Sequence, residues 1–192
     1  TDFIVSNQHL QLVDELASSK RFKNIKLLNY VDDYDPDVQK QFAAMTYRLS
    51  LDTYLVVFRG TDDTLIGWKE DFHMTYMDHV PAQKRAASYL QHVMKEFPKG
   101  RFLVAGHSKG GNLATYACSY LPDSLFERVD AIYSYDAPGL NKTIIETEGY
   151  QRTSPNIRRF VPQGSIVGMM LEGPEPTTIV KSRAFGGFAQ HD

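Results

Sequence analysis

The sequence predicts an α/β fold with a mainly parallel sheet, and three observations carry that prediction. Apolar β-type runs alternate with helical patterns along most of the 192 residues. A long amphipathic pattern, with Ala86, Leu90, Val93, Met94 and Phe97 at helical spacing, separates the third of those runs from the fourth. The fourth run, Phe102-Leu103-Val104-Ala105, passes straight into Gly106-His107-Ser108-Lys109-Gly110-Gly111, a G-x-S-x-G turn that needs a strand before it and a helix after it.

Each element has its own signal. Asn7 to Arg21 opens with Ser6 or Asn7 as a cap and places Leu12, Val13 and Leu16 on one face, which predicts a first helix. Asn24 to Val31 reads as a strand, and Asp32-Asp33-Tyr34-Asp35-Pro36-Asp37 as a turn with solvated carboxylates, because it lacks the glycine and terminal glutamate of a calcium loop. Phe42 to Leu49 and Tyr54 to Arg59 form a hairpin through Ser50-Leu51-Asp52. The amphipathic helix runs from about Gln83 to Phe97, where Pro98 and Gly100 end it. Asn112 to Cys118 supplies the small-residue helix after the G-x-S-x-G turn. Val129 to Tyr135, Ile157 to Val161 and Thr177 to Lys181 are the remaining strands, and the loop Leu171-Glu172-Gly173-Pro174-Glu175-Pro176 between the last two is a local excursion.

Composition narrows the function classes. A formal charge of −2 offers no electrostatic footprint for nucleic acid or an anionic membrane. The single cysteine, Cys118, cannot pair within the chain and falls on the apolar side of its helix, so it is expected in the core. No stretch reaches the roughly 18 apolar residues needed for stable membrane insertion. No HExxH, CxxC or clustered His/Asp spacing suggests a metal, and no cofactor motif is present: the turn at 106–111 continues into Asn112, where a P-loop requires Lys and Ser or Thr. With no signal-peptide pattern, a cytoplasmic location is the expectation.

A serine hydroxyl becomes a useful nucleophile when a tight strand-to-helix turn exposes it, and glycines flank such a turn because side chains there would strike neighbouring backbone. Ser108 is therefore the leading catalytic candidate, the alternative being a glycine-rich turn with an incidental serine. Phe58-Arg59-Gly60-Thr61, with Trp68 and Asp71 downstream, and Gly106 to Ala114 together resemble the class 3 lipase branch of the α/β-hydrolases. Tyr135-Asp136-Ala137-Pro138-Gly139-Leu140, Val161 to Gly168 and Gln190-His191-Asp192 resemble, more narrowly, an uncharacterised bacterial family of lipase-like hydrolases. The resemblance covers Tyr54 to Asp192. It implies an α/β-hydrolase fold, a mainly parallel central sheet flanked by helices, with residues 1–192 as a single domain expected to be incomplete at its start and after His191.

In that fold the chain order is serine, acid, histidine. Of six histidines only His191 follows Ser108, so His191 is the expected general base, against the alternative of a solvated histidine near the chain's end. His9, His73, His79 and His92 are expected on helical surfaces or in polar packing, and His107 is expected to face away from the nucleophile and brace the turn. The acid departs from the class 3 pattern. Aligning Arg159 to Val167 with the segment that ordinarily ends in Gly-Asp-x-Val puts Ser165 where aspartate belongs, and a neutral hydroxyl cannot stabilise an imidazolium as a carboxylate does. Asp136, closing the Ala131 to Tyr135 run, is the expected acid. Its alternative role is to cap the Asp-Ala-Pro-Gly turn, and Glu172 is the fallback.

The resemblance assigns the oxyanion donors to the backbone N–H groups of Lys109, at a helix N-terminus, and Thr61. Thr61-Asp62-Asp63-Thr64 alternatively reads as a helix cap. Arg59 is expected to tie a carboxylate such as Asp71. Leu65, Ile66, Trp68, Phe72, Met74, Tyr76 and Met77 fall in the lid region of class 3 lipases, and Ile166, Val167, Met169, Met170 and Leu171 near the acid loop; they line an apolar pocket or belong to plain core. The expected function is hydrolysis of a small-molecule or lipid-like carboxylic ester through an acyl-enzyme. A thioesterase or acyl transferase on the same scaffold, and a non-catalytic hydrolase-fold binding protein, are the alternatives. Nothing in the sequence speaks to the oligomeric state.

Overall fold

A computed structural model of the chain describes residues 7–35, 40–60, 79–171, 173–183 and 191. Seven strands form one mixed sheet whose spatial order follows the sequence: β1 (Lys26–Asp35), β2 (Lys40–Arg48), β3 (Thr53–Phe58), β4 (Arg101–His107), β5 (Val129–Tyr135), β6 (Ile157–Pro162) and β7 (Thr177–Val180). The β1–β2 and β2–β3 pairs are antiparallel, and β3 through β7 run parallel. The antiparallel pair β2–β3 is closed by the expected short connection at 49–52, with Leu49 N–H donating to Thr53 O at 2.9 Å. Parallel neighbours require crossovers, which contain helices from β3 through β6, whereas β6 and β7 are joined through a segment with a 3₁₀ turn at Val167–Met169.

Helix α1 spans Asn7–Ser18, α2 Pro81–Glu96, α3 Lys109–Ser119, α4 Asp123–Phe126, α5 Lys142–Ile145 and α6 Glu148–Thr153. Pro81 sits at the start of α2, where a missing N–H costs nothing, and the Gln83 side-chain carbonyl accepts from Val80 N–H at 3.0 Å. Leu90, Val93 and Met94 of α2 are fully buried with Tyr54, Val56 and Phe58 of β3, Phe102 and Val104 of β4, and Leu113, Ala114, Ala117 and Cys118 of α3. Each large aliphatic side chain so buried stabilises by about 1.5–3 kcal/mol. Tyr54 stacks between Phe97 and Phe102, with ring centroids 4.5 and 5.3 Å away. Among the described residues no helix is long and apolar enough to cross a membrane.

One reading of the N-terminal region is corrected. Asp32 to Asp35 is not a turn: β1 continues through it, with Asp32 opposite Ala43 and Asp33 opposite Phe42. Aspartate is a poor strand former on its own, but here β2 supplies a backbone partner, and Arg59 and Arg85 take the Asp32 and Asp33 carboxylates at 3.2 and 3.3 Å. Helix α1 forms where its spacing predicts, yet Leu12, Val13 and Leu16 are exposed, so its apolar face is not packed into the core.

Candidate functional site

The strand β4 ends at His107 and α3 begins at Lys109, which leaves Ser108 alone to turn the chain. Its φ of 56° and ψ of −133° place it in a region that side-chain-bearing residues rarely occupy, a strain of about 1–3 kcal/mol that surrounding structure must hold. Ser108 N–H donates to Tyr135 O on β5 at 2.9 Å, and Ser108 O accepts from Gly111 N–H at 2.9 Å. The turn also depends on close approach. A Cβ on Gly110 would overlap Phe58 O and lie 2.9 Å from Phe58 C, so only glycine lets α3 sit against the end of β3. Gly60 fits as tightly: a Cβ there would lie 2.9 Å from His107 O and 3.3 Å from Ser108 Cβ. The Phe58-Arg59-Gly60 end of β3 therefore abuts the Ser108 turn.

Asp136 follows β5 directly, also at positive φ (42°), with its N–H donating to Phe160 O at 2.7 Å. The residue is 3% exposed. Its Oδ2 lies 2.6 Å from His191 Nδ1 and accepts from the Ser165 hydroxyl at 2.7 Å, while Oδ1 is buried without a partner among the described residues. The structure thus brings together Asp136, Ser165 and His191, residues separated by up to 55 positions. His107 is corrected here. It does not face away from the site; its ring lies 4.5 Å from the His191 ring at a tilt of 31°. The ligand atoms of His107, Asp136 and His191 fall within 4.8 Å of one another, near enough to ligate a cation, but Nδ1 of His191 and Oδ2 of Asp136 already engage each other. Among the described residues no hydrogen bond links Ser108 to His191.

Lys109 stands at the first position of α3, where backbone N–H groups have no partner within the helix, and its side chain is buried. Thr61, Trp68, Asp71, Glu172 and the apolar residues between 65 and 77 lie outside the described residues. Arg59 ties the carboxylate of Asp32, which arrives at the β3 end because β1 and β2 pair over their full length. Of the other histidines, His79 meets the Tyr116 hydroxyl at 2.9 Å, and His92 is exposed on α2. Ile166, Met169 and Met170 are 48%, 74% and 40% exposed, so they are not core; they form an apolar shelf on the loop that also carries Ser165.

Two supporting networks escaped sequence reading. The Asn112 side chain accepts from Gln83 at 2.9 Å and donates to Gly139 O at 2.5 Å, joining α2, α3 and the loop after Asp136. Arg159, 7% exposed, donates to Gly168 O and, at 2.9 Å, to Gly173 O, and pairs with the buried Glu175 carboxylate, which also accepts from the Tyr150 hydroxyl. Burial and that carboxylate both push the Tyr150 phenol up. The signal for the second network was present. Ile157, Arg159 and Val161 share one face of β6, and a cation among core-facing positions demands a buried partner.

The Mbeg1-like family model matches residues 16–192. No curated protein matches the chain. Solved structures that are similar include a lipase from Rhizopus microsporus var. chinensis (18% identity, 84% of this chain and 63% of that one, TM-score 0.61). M37 lipase is similar at 15% identity over 88% of this chain and 64% of that one, with a TM-score of 0.63. The triacylglyceride lipase of Rhizomucor miehei is similar at 17% identity over 83% of this chain and 68% of that one, with a TM-score of 0.59. The chain spans just under two thirds of the length of the first two. The fold is that of the α/β-hydrolases.

Proposed function

The chain belongs to the Mbeg1-like family, and on that premise we propose that it is a serine hydrolase that cleaves a carboxylic ester through an acyl-enzyme. The observation that carries the proposal is the pairing of His191 Nδ1 with the buried Asp136 carboxylate at 2.6 Å, beside a serine held at positive φ between a strand and a helix. In this reading Nε2 of His191 takes the Ser108 proton as Oγ bonds to the ester carbonyl carbon. Asp136 holds the imidazole in the required tautomer and offsets the charge it gains. The backbone N–H groups of Lys109 and Thr61 stabilise the oxyanion. Collapse of the tetrahedral species breaks the carbon–oxygen bond, and His191 returns the proton to the departing alcohol. Water, deprotonated by His191, then hydrolyses the acyl-Ser108 ester.

The exposed shelf of Ile166, Met169 and Met170 supports an apolar component in the substrate. A fluorophosphonate probe should label the native protein at Ser108, and a panel of p-nitrophenyl esters from acetate to palmitate should be turned over. Ser108→Ala should abolish labelling and cut turnover by a factor on the order of 10⁴ or more, with an unchanged melting curve. Retained turnover in Ser108→Ala overturns the serine mechanism. Absence of both labelling and turnover in the native protein assigns the fold to ligand binding without catalysis.

A further inference from the structure

Ser165 sits 29 residues beyond Asp136, on the loop after β6, yet their side chains meet. Asp136 Oδ2 accepts from the Ser165 hydroxyl at 2.7 Å and lies 2.6 Å from His191 Nδ1. The Ser165 Oγ in turn accepts from Gly168 N–H at 3.3 Å, so its own hydrogen is directed toward the carboxylate. Both side chains are buried, and Oδ1 of Asp136 has no partner among the described residues. A buried carboxylate with so few partners depends on each of them for its orientation. The loop itself is anchored by Arg159, whose guanidinium reaches Gly168 O and Gly173 O.

We infer that Ser165 is a positioning residue: fixed by Gly168 N–H, its hydroxyl donates to Asp136 Oδ2 and holds that carboxylate against His191 Nδ1. This rests on the triad reading of Ser108, Asp136 and His191. The loop position after β6 thereby serves the carboxylate delivered by β5, rather than supplying a carboxylate of its own. Only a side chain with a short, rotatable hydroxyl fits the role. Alanine removes the donor, and threonine keeps it.

The test compares native protein with Ser165→Ala and Ser165→Thr. Ser165→Ala should lower kcat for a p-nitrophenyl ester by about 10- to 100-fold with KM little changed, the size expected for one hydrogen bond to a charged acceptor, and Ser165→Thr should restore most of it. The second readout does not need turnover. The downfield proton resonance of His191 Nδ1, identified by its loss in Asp136→Ala, should weaken or move upfield in Ser165→Ala and return in Ser165→Thr. An unchanged resonance together with unchanged kcat in Ser165→Ala overturns the inference. An equal loss in both variants, with a lowered melting temperature, also overturns it, because the residue then acts only by packing. If native protein hydrolyses no ester and takes no fluorophosphonate while the resonance still responds to Ser165→Ala, the catalytic reading fails and the positioning of Asp136 stands.

Discussion

Replacing Asp136 by asparagine should separate catalysis from stability. The amide has the volume of the carboxylate, and asparagine tolerates the φ of 42° found there. With its oxygen in the place of Oδ2, it can still accept from Ser165 and from His191 Nδ1, two bonds that each lose about 1 kcal/mol when the acceptor becomes neutral. Against this, the carboxylate Oδ1 is buried and unpartnered, a desolvation cost of about 1–3 kcal/mol that falls when the charge is removed. The two changes oppose each other, so stability should move by no more than about 1 kcal/mol, or about 4 °C in Tm for a chain of this size. Turnover has no such offset. In one orientation the amide cannot neutralise an imidazolium; in the other it presents N–H to Nδ1 and imposes the wrong tautomer. A fall in kcat of about 10² to 10⁴ follows, equivalent to roughly 2.7–5.4 kcal/mol of transition-state stabilisation at 1.36 per decade, with KM little changed. Steady-state kinetics on a p-nitrophenyl ester and a thermal melt measure both. The reasoning is refuted if kcat stays within about threefold of native while Tm drops by more than about 8 °C, for Asp136 would then only cap its turn.

Other outcomes follow from the supporting structure. Gly110→Ala should destabilise by about 1–3 kcal/mol in a urea titration, since the new methyl meets Phe58 backbone that has no freedom to yield; an unchanged midpoint would contradict the close approach. Arg159→Met should lower Tm by about 6–20 °C, from roughly 3–5 kcal/mol, by leaving Glu175 buried with the Tyr150 hydroxyl alone. Adding Glu175→Leu should recover much of that loss, and a double variant no better than the single would show that the pair is not coupled. Burial pushes the Cys118 thiol well above its ordinary range, with Arg152 only partly opposing the shift. The native protein should therefore be inert to a disulfide reagent at pH 8 and react only in denaturant, and rapid labelling of native protein would place the thiol outside the core.

What the sequence determined by itself was local. The strand, serine turn and helix at 101–119 are consecutive residues whose glycines, apolar run and small-residue helix all answer to neighbours a few positions away. The spacing of Leu90, Val93 and Met94 likewise settled α2, since helical periodicity and burial of one stripe are the same constraint. Tertiary structure decided whatever needed a partner from elsewhere. The aspartate run became strand because β2 lay beside it, and Arg59 found Asp32 through that pairing, while the identical kind of apolar stripe on α1 stayed exposed. At the site, the sequence could name Asp136 as the acid, with Glu172 as the fallback and Ser165 standing where an aspartate belongs, but could not give their distances from His191. The contact of Asp136 with His191, the hydroxyl that Ser165 adds to it and the ring that His107 lays against His191 come from four separate segments, three of them at the carboxyl ends of the parallel strands β4, β5 and β6. Their meeting is set by strand order and register, which are cooperative properties of the whole sheet, and no short window of residues encodes them.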